Sequence, residues 1–369
     1  MVSRRSLLTA SVFALSIITL PAVALSAEIP AGYPTSYGDV VKKGTAEAKL
    51  RVYSTTDAAS VQPLIADFEA LYPGIKVEYS DISSAEIYNR VISEDAAGQP
   101  SADVVWTSGM DTGTRLAADG YAAEYASPET AKLPGWANWK NIAYGTTFEP
   151  LVFIYNNRLL KEDMVPKSHA DLVKLVKEKP EIFNGKFTTY DPSRTLGLML
   201  NMFDELHWPN FWDALTSLGK GGMRIDASSG SMMEKVGSGE YVLAWNTIGS
   251  YVPALKRRNP AIGMVVPSDY TLILSRVAFV SAKAQHPNAA RLFLDYLLSA
   301  RGQKILMDKA ELYSIRNDLE GELTAAALTK QIGEAVRPIP IGDQLLDRVM
   351  NERGRVEFLR KFQESLRAR

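Results

Sequence analysis

Between Ala48 and Trp106 the hydrophobic period changes four times, and that alternation restricts the fold more than any other feature of the chain. Leu50 and Val52 alternate with polar neighbours over Ala48 to Ser54, the period of a strand. Ala58, Val61, Leu64, Ile65, Phe68, Leu71 and Tyr72 then follow at helical spacing. Pro73-Gly74 stops that helix, and Ile75 to Tyr79 alternates again. Ser83 or Ser84 can cap a second helix carrying Ile87, Val91 and Ile92, which Pro100 closes before the apolar strand Ala102 to Trp106. Strand–helix–strand–helix–strand order requires crossover connections, hence parallel pairing and an α/β layer structure.

The pattern recurs downstream. Lys186 to Tyr190 reads as a strand and the stretch after Asp191-Pro192 as a helix. A further helix begins at Ser228, and Tyr241 to Trp245 is another strand. The length of 369 residues suits two α/β lobes better than one large sheet. The apolar runs Leu151 to Tyr155 and Thr271 to Val280 read as two strands that cross between the lobes. A long helix follows His286-Pro287-Asn288, with Ala290, Leu292, Phe293, Tyr296 and Leu297 on its inner side. This divides the chain into a discontinuous first lobe, 27–148 and 275–369, and a second lobe, 149–274. The amphipathic basic tail from Gln344 is expected to dock on the first lobe.

Residues 1–26 read differently. Arg4-Arg5 precede an apolar stretch and then the small residues of Ala22-Val23-Ala24 and Ala24-Leu25-Ser26, the order of a secretory signal peptide. The sequence has no cysteine, so disulfides, thiolate metal sites and a cysteine-linked lipid anchor are not expected. Its three histidines, His169, His207 and His286, are too dispersed to suggest a His-rich metal site. A formal charge of −1 favours neither nucleic acid nor a membrane surface.

Hydroxyl residues gather where strands hand over to helices. Ser54, Thr55 and Thr56 follow the first strand, and Thr107 and Ser108 the third. Asp191, Ser193, Arg194 and Thr195 follow a strand of the second lobe, Ser229 opens a helix, and Asn246 follows Trp245. In open α/β sheets, ligands lie beyond the carboxyl ends of the strands, where helix amino ends present unpaired N–H groups. Capping alone explains any one junction; the five together point to a cleft facing a small anion. Arg194 suits a bidentate contact to phosphate or carboxylate, and Arg276, inside an apolar strand, needs a partner. Trp245 and Tyr251 supply either an apolar wall or core. No nucleophile elbow, metalloprotease helix or Walker loop occurs, so catalysis is not expected.

Four stretches carry a family resemblance: "LRVYSTTDAASVQPLIADFEALYPGIKVEY", "ADVVWTSGM", "GEYVLAWN" and "SRVAFVSAKAQHPNAARLFLDYLLSARGQKIL". Together they resemble the extracellular solute-binding proteins of ABC importers, in the branch of binders for ferric ion, phosphorylated sugars and phosphonates. The resemblance implies a type II periplasmic-binding fold, two lobes closing on a ligand by hinge bending, and a periplasmic protein presented to an inner-membrane permease. It implies no covalent chemistry and no cofactor; the expected partners are a small, anionic solute and the permease, the protein itself being a monomer. The ferric branch implies a histidine after the first strand and a tyrosine pair after "GEYVLAW". Asp57 stands at the first place, and Ile248-Gly249 with a lone Tyr251 at the second, so an organic oxyanion is preferred to iron. The alternatives are a ferric-ion binder, a sensory adaptor docking through the basic tail, and a hydrolase using Ser229 or Ser231.

Overall fold

The computed structural model describes residues 29–367. The signal-peptide stretch therefore lies outside the described residues. The first lobe begins with α1 (Tyr37–Glu47), β1 (Lys49–Ser54), α2 (Ala58–Leu71), β2 (Lys76–Asp81), α3 (Ser84–Ala96), β3 (Val104–Thr107) and α4 (Met110–Leu116). Asp57 and Ser83 cap α2 and α3, each side chain accepting the N–H of the third residue on. The crossovers make β1 parallel to both β2 and β3, as the alternation requires. Two short strands, β4 (Asn138–Trp139) and β5 (Ala143–Gly145), follow.

The chain then enters the second lobe through β6 (Glu149–Asn156). After it come α5 (His169–Glu178), α6 (Pro180–Phe183), β7 (Phe187–Tyr190), α7 (Thr195–His207), α8 (Phe211–Lys220), β8 (Arg224–Asp226), α9 (Ser229–Ser238), β9 (Leu243–Ile248), α10 (Val252–Arg258), β10 (Ile262–Val265) and β11 (Thr271–Leu274). The chain returns with β12 (Val277–Val280), α11 (Pro287–Leu298) and α12 (Ala300–Ala310), and ends in α13 (Ala325–Ile332), β13 (Val336–Pro338), α14 (Asp343–Met350) and α15 (Glu352–Arg367).

The described residues form two sheets. The six-stranded one runs β2-β1-β3-β12-β5-β4; the seven-stranded one runs β13-β11-β6-β9-β7-β8, with β10 added on β6. β5 and β6 lie in different sheets, as do β11 and β12, so residues 146–148 and 275–276 carry the chain between lobes; a third passage, after α12, brings it back to β13 in the second sheet.

Three readings of the sequence change. The run Thr271 to Val280 is two strands in two sheets, and Arg276 stands between them rather than within one strand. The helix after His286 breaks at Ser299, whose extended backbone ends α11 and whose hydroxyl caps α12 by accepting the Gly302 N–H. The tail does not dock on the first lobe alone but joins the second. β13 pairs with β11, α14 packs on both α4 and α7, and α15 lies on α8 of the second lobe. Phe358 of α15 stacks on Phe211 at 6.2 Å and meets Trp212 at 5.1 Å, covering aromatic surface that α8 would otherwise expose. Amphipathic spacing gives a helix one apolar face but does not say which lobe receives it.

Candidate functional site

The first-lobe junctions are stitched to one another. Thr55 Oγ1 donates to Ser108 Oγ at 3.1 Å and accepts the Ser108 N–H at 2.8 Å. Ser54 Oγ accepts the Thr56 N–H, and Thr107 Oγ1 the Gly109 N–H, so each hydroxyl fixes its own turn. The Thr56 carbonyl accepts Tyr79 Oη at 2.6 Å, which leaves its hydroxyl turned to the hinge.

There Arg276 joins the lobes. Its Nη1 donates to Thr56 Oγ1 at 3.0 Å in the first lobe and its Nη2 to Tyr251 Oη at 3.1 Å in the second. The guanidinium meets Glu149 through Nε–Oε1 at 2.9 Å and Nη2–Oε2 at 3.4 Å, and both side chains are 0 % exposed. Thr147 Oγ1 donates to Glu149 and accepts the Arg276 N–H. Burial pulls the guanidinium pKa down, but the Glu149 charge beside it outweighs that and leaves it above its ordinary value. Arg276 is thus a neutralised hinge bracket, already matched by a carboxylate.

In the second lobe, Tyr190 and Ser229 share a hydrogen bond, and Ser229 Oγ also accepts the Ile248 N–H. Ser231 donates to Asp226, which Lys235 also binds. Asp191 Oδ1 accepts the Ser193 N–H and folds the loop before α7 back on itself. The loop lies so close to the helix that a Cβ on Gly197 would meet the Asp191 carbonyl oxygen at 2.1 Å. Arg194 is exposed at the amino end of α7. Trp245 is core, edge-on to Trp208 at 6.3 Å. Asn246 turns inward with φ 62° and donates to Asp204, which also accepts Tyr270 Oη at 2.8 Å. Burial raises the Asp204 pKa. Trp245 and Asn246 therefore face the interior of the second lobe, away from Thr56 and Arg276.

A cavity of about 270 Å³ lies between the lobes. Tyr88 and Asn89 of α3 and Asp111, Thr112 and Arg115 of α4 form one wall; Thr195 and Leu198 of α7 form the opposite one. Val349, Met350 and Arg355, from α14 and α15, close the third side. Thr195 is the one residue singled out from the sequence that lines it. Arg115 is tied to Asp119, four residues on, while Arg355 is half-buried and makes no ion pair among the described residues. Burial raises the Asp111 pKa, partly opposed by backbone N–H groups and the positive charge of Arg355. A larger hollow of about 410 Å³, lined by Gln99, Ser101, Tyr121 and Lys283 among others, belongs to the first lobe alone, at the amino end of β3 opposite the crossings.

Sequence reasoning missed Glu149, Thr147, Asp111, Thr112 and Arg355. A signal existed for Glu149: a carboxylate heading the apolar run "PLVFIY" needs a cation, as Arg276 needs an anion. None existed for Arg355, since a basic residue on a terminal amphipathic helix reads as solvated. Asp57, where the ferric branch implies histidine, caps α2, and Tyr251 accepts from Arg276. No group of three or more His, Cys, Asp or Glu that could hold a metal ion occurs among the described residues.

Comparisons with known proteins come from sequence and structure. A family described as bacterial extracellular solute-binding protein matches residues 63–328. The fold is similar to the substrate binding protein of the ABC transporter from Agrobacterium tumefaciens, with 32% identity over 86% of this chain and 94% of that one, and a TM-score of 0.78. It is also similar to iron-bound HitA from Pseudomonas aeruginosa (22% identity, 86% and 99% covered, TM-score 0.64). A third similar structure is AfuA from Actinobacillus pleuropneumoniae with fructose-6-phosphate bound (17% identity, 87% and 99% covered, TM-score 0.66). The last two establish a common fold and no more. A search of curated proteins gives no match.

Proposed function

The chain belongs to the bacterial extracellular solute-binding proteins and is the solute-binding component of an ABC transporter; from that premise we propose that it captures a small oxyanion-bearing organic solute between its lobes. Its two α/β lobes have the type II periplasmic-binding fold. Residues 1–26 act as the export signal, and the mature protein meets its solute in the periplasm as a monomer. Closure is a hinge motion about residues 146–148 and 275–276, where the chain passes between sheets, with the connection from α12 to β13 as a third passage.

One observation carries the reading. A single cavity of about 270 Å³ is lined from the first lobe by Tyr88 and Asn89 and from the second by Thr195, with Arg355 closing the third side. Hydroxyls and a guanidinium are the donors a phosphate, phosphonate or carboxylate requires, and a ligand touching both walls stabilises the closed arrangement. Two further facts disfavour the alternatives. Tyr251 is engaged by the Arg276 cation rather than free to ligate iron, and the Ser229 hydroxyl meets Tyr190 and a backbone amide rather than a base.

Thermal-shift measurements with fructose 6-phosphate, small phosphonates, dicarboxylates and ferric citrate test this. A solute present at about a hundred times its Kd adds roughly 2.7 kcal/mol, a rise of about 4 °C for a chain of this length. That rise should occur with an oxyanion and shrink severalfold in Arg355→Ala and Thr195→Val. A rise with ferric iron alone overturns the proposal.

A further inference from the structure

Asp111 is the least explained group in the interlobe cavity. It is 3 % exposed, lines the cavity, and its Oδ1 has no hydrogen-bond partner. A buried carboxylate is ordinarily paired or saturated with donors, because leaving an acceptor bare inside a protein costs free energy. Most other buried carboxylates obey that rule; Asp295, away from the cavity, holds two tyrosine hydroxyls on Oδ2 and leaves its Oδ1 bare. Glu149 has Arg276 and Thr147, Asp226 has Lys235, Thr188 and Ser231, and Asp103 has His286 and the Arg51 N–H. At the cavity, Arg115 is occupied by Asp119, and Arg355 acts on Asp111 only through its field.

Building on the proposed site, we infer that the solute carries a protonated amino group as well as its oxyanion, and that Asp111 receives the ammonium while Arg355 and the Thr195 hydroxyl receive the acid. The cavity suits such a molecule in size and polarity. About 270 Å³ holds a compact solute of few heavy atoms, and the wall offers one anionic and one cationic anchor with apolar surface from Leu198, Val349 and Met350 around them. A plain anion would face the Asp111 carboxylate with only the charge of Arg355 to offset the repulsion. An ammonium supplies the missing donors and cancels the buried charge, so the group that is uncompensated without ligand becomes compensated on binding. Selectivity then comes from Asp111 and retention of the acid from Arg355.

Matched pairs separate the two claims. Calorimetry on the purified protein would compare O-phosphoethanolamine with ethyl phosphate, and β-alanine with propionate, in the parent and in Asp111→Asn. The amino-bearing member of at least one pair should bind at least tenfold tighter than its partner, and Asp111→Asn should erase that preference by weakening the amino-bearing member, while the deamino partner, relieved of the repulsion, binds no more weakly than to the parent. Deamino acids that bind as tightly as their amino counterparts overturn this inference and leave the oxyanion reading standing. Amino compounds that bind tightly but ignore both Arg355→Ala and Thr195→Val overturn the oxyanion reading instead. A preference unchanged in Asp111→Asn, with only the melting temperature altered, makes Asp111 a structural residue and refutes its role here. Failure of both members of both pairs at millimolar concentration counts against both claims.

Discussion

The Arg276–Glu149 pair is where the fold can be tested most sharply. Both side chains are wholly buried at the hinge, and their contacts at 2.9 and 3.4 Å are supplemented by Thr56, Tyr251 and Thr147. Arg276→Met leaves the Glu149 carboxylate buried with a single hydroxyl donor among these partners. Removing one member of such a pair costs about 3–5 kcal/mol, because the charge left behind keeps its desolvation penalty and loses its compensation. With an unfolding entropy of about 2.1 cal/mol/K per residue, that lowers Tm by roughly 4–7 °C. Glu149→Leu should cost a similar amount, since it strands the guanidinium. The double variant should recover most of the loss and lie within about 1 kcal/mol of the parent, because two apolar chains of similar volume leave no charge to solvate. Calorimetric Tm values for the four proteins, read as a double-mutant cycle, check this. Two single losses that simply add, or an Arg276→Met loss under about 1 kcal/mol, would refute the account of the hinge as a coupled, buried bracket.

Three further outcomes follow from local geometry. Gly219→Ala places a Cβ 2.0 Å from the Ser365 carbonyl oxygen, so α15 must lift from α8 at a cost of about 1–3 kcal/mol, and limited proteolysis should then cut within residues 352–367. Asp295, buried and bound by Tyr37 and Tyr125, has its carboxyl pushed up from 3.8 to about 6 by burial. Its folded pKa exceeds the unfolded one, so its contribution is fully present below pH 3.8 and is lost as pH rises toward 6; Asp295→Asn should remove about 1.4 kcal/mol per pH unit of that decline, measured by urea titration across pH 4–6. Ser299→Ala deletes the cap of α12 and should lower stability by about 1 kcal/mol, read from the urea midpoint at unchanged m-value.

The parallel half of the first sheet was legible because its signals are local and redundant. Leu50 and Val52 alternate, Pro73-Gly74 punctuates, and Asp57 and Ser83 cap, so each residue choice agrees with its neighbours. Where the readings changed, the deciding interaction lay far along the chain. Thr271 to Val280 is apolar on both sides of Ser275-Arg276, yet Leu274 pairs with Glu149 in one sheet and Val277 with Thr107 in the other. Only the second half of an ion pair 127 residues away explains why the strand must break at Arg276. Hydrophobic period likewise shows that α15 is amphipathic, but not that its apolar face covers Phe211 and Trp212 of α8.

The candidate site shows the same division, with a consequence for how hydroxyl-rich junctions should be read. Ser54, Thr55, Thr107 and Ser108 are consumed in holding their own turns together, and Asn246 in holding a left-handed turn against Asp204. Their clustering at strand ends is real, but most of their hydrogen-bonding capacity is spent on backbone order. The cavity groups with capacity to spare are Asp111, Arg355 and Thr195, and only Thr195 belongs to a junction motif. Asp111 sits one residue inside α4, and Arg355 reaches the cavity only because the tail has been carried past the first lobe onto the second. Such a site arises from the packing of α4, α7 and α15 together. The same packing makes α15 part of the binding surface, so a change at the α8–α15 contact such as Gly219→Ala should weaken solute binding as well as stability, whereas the Ser299→Ala cap deletion in the first lobe should lower stability alone.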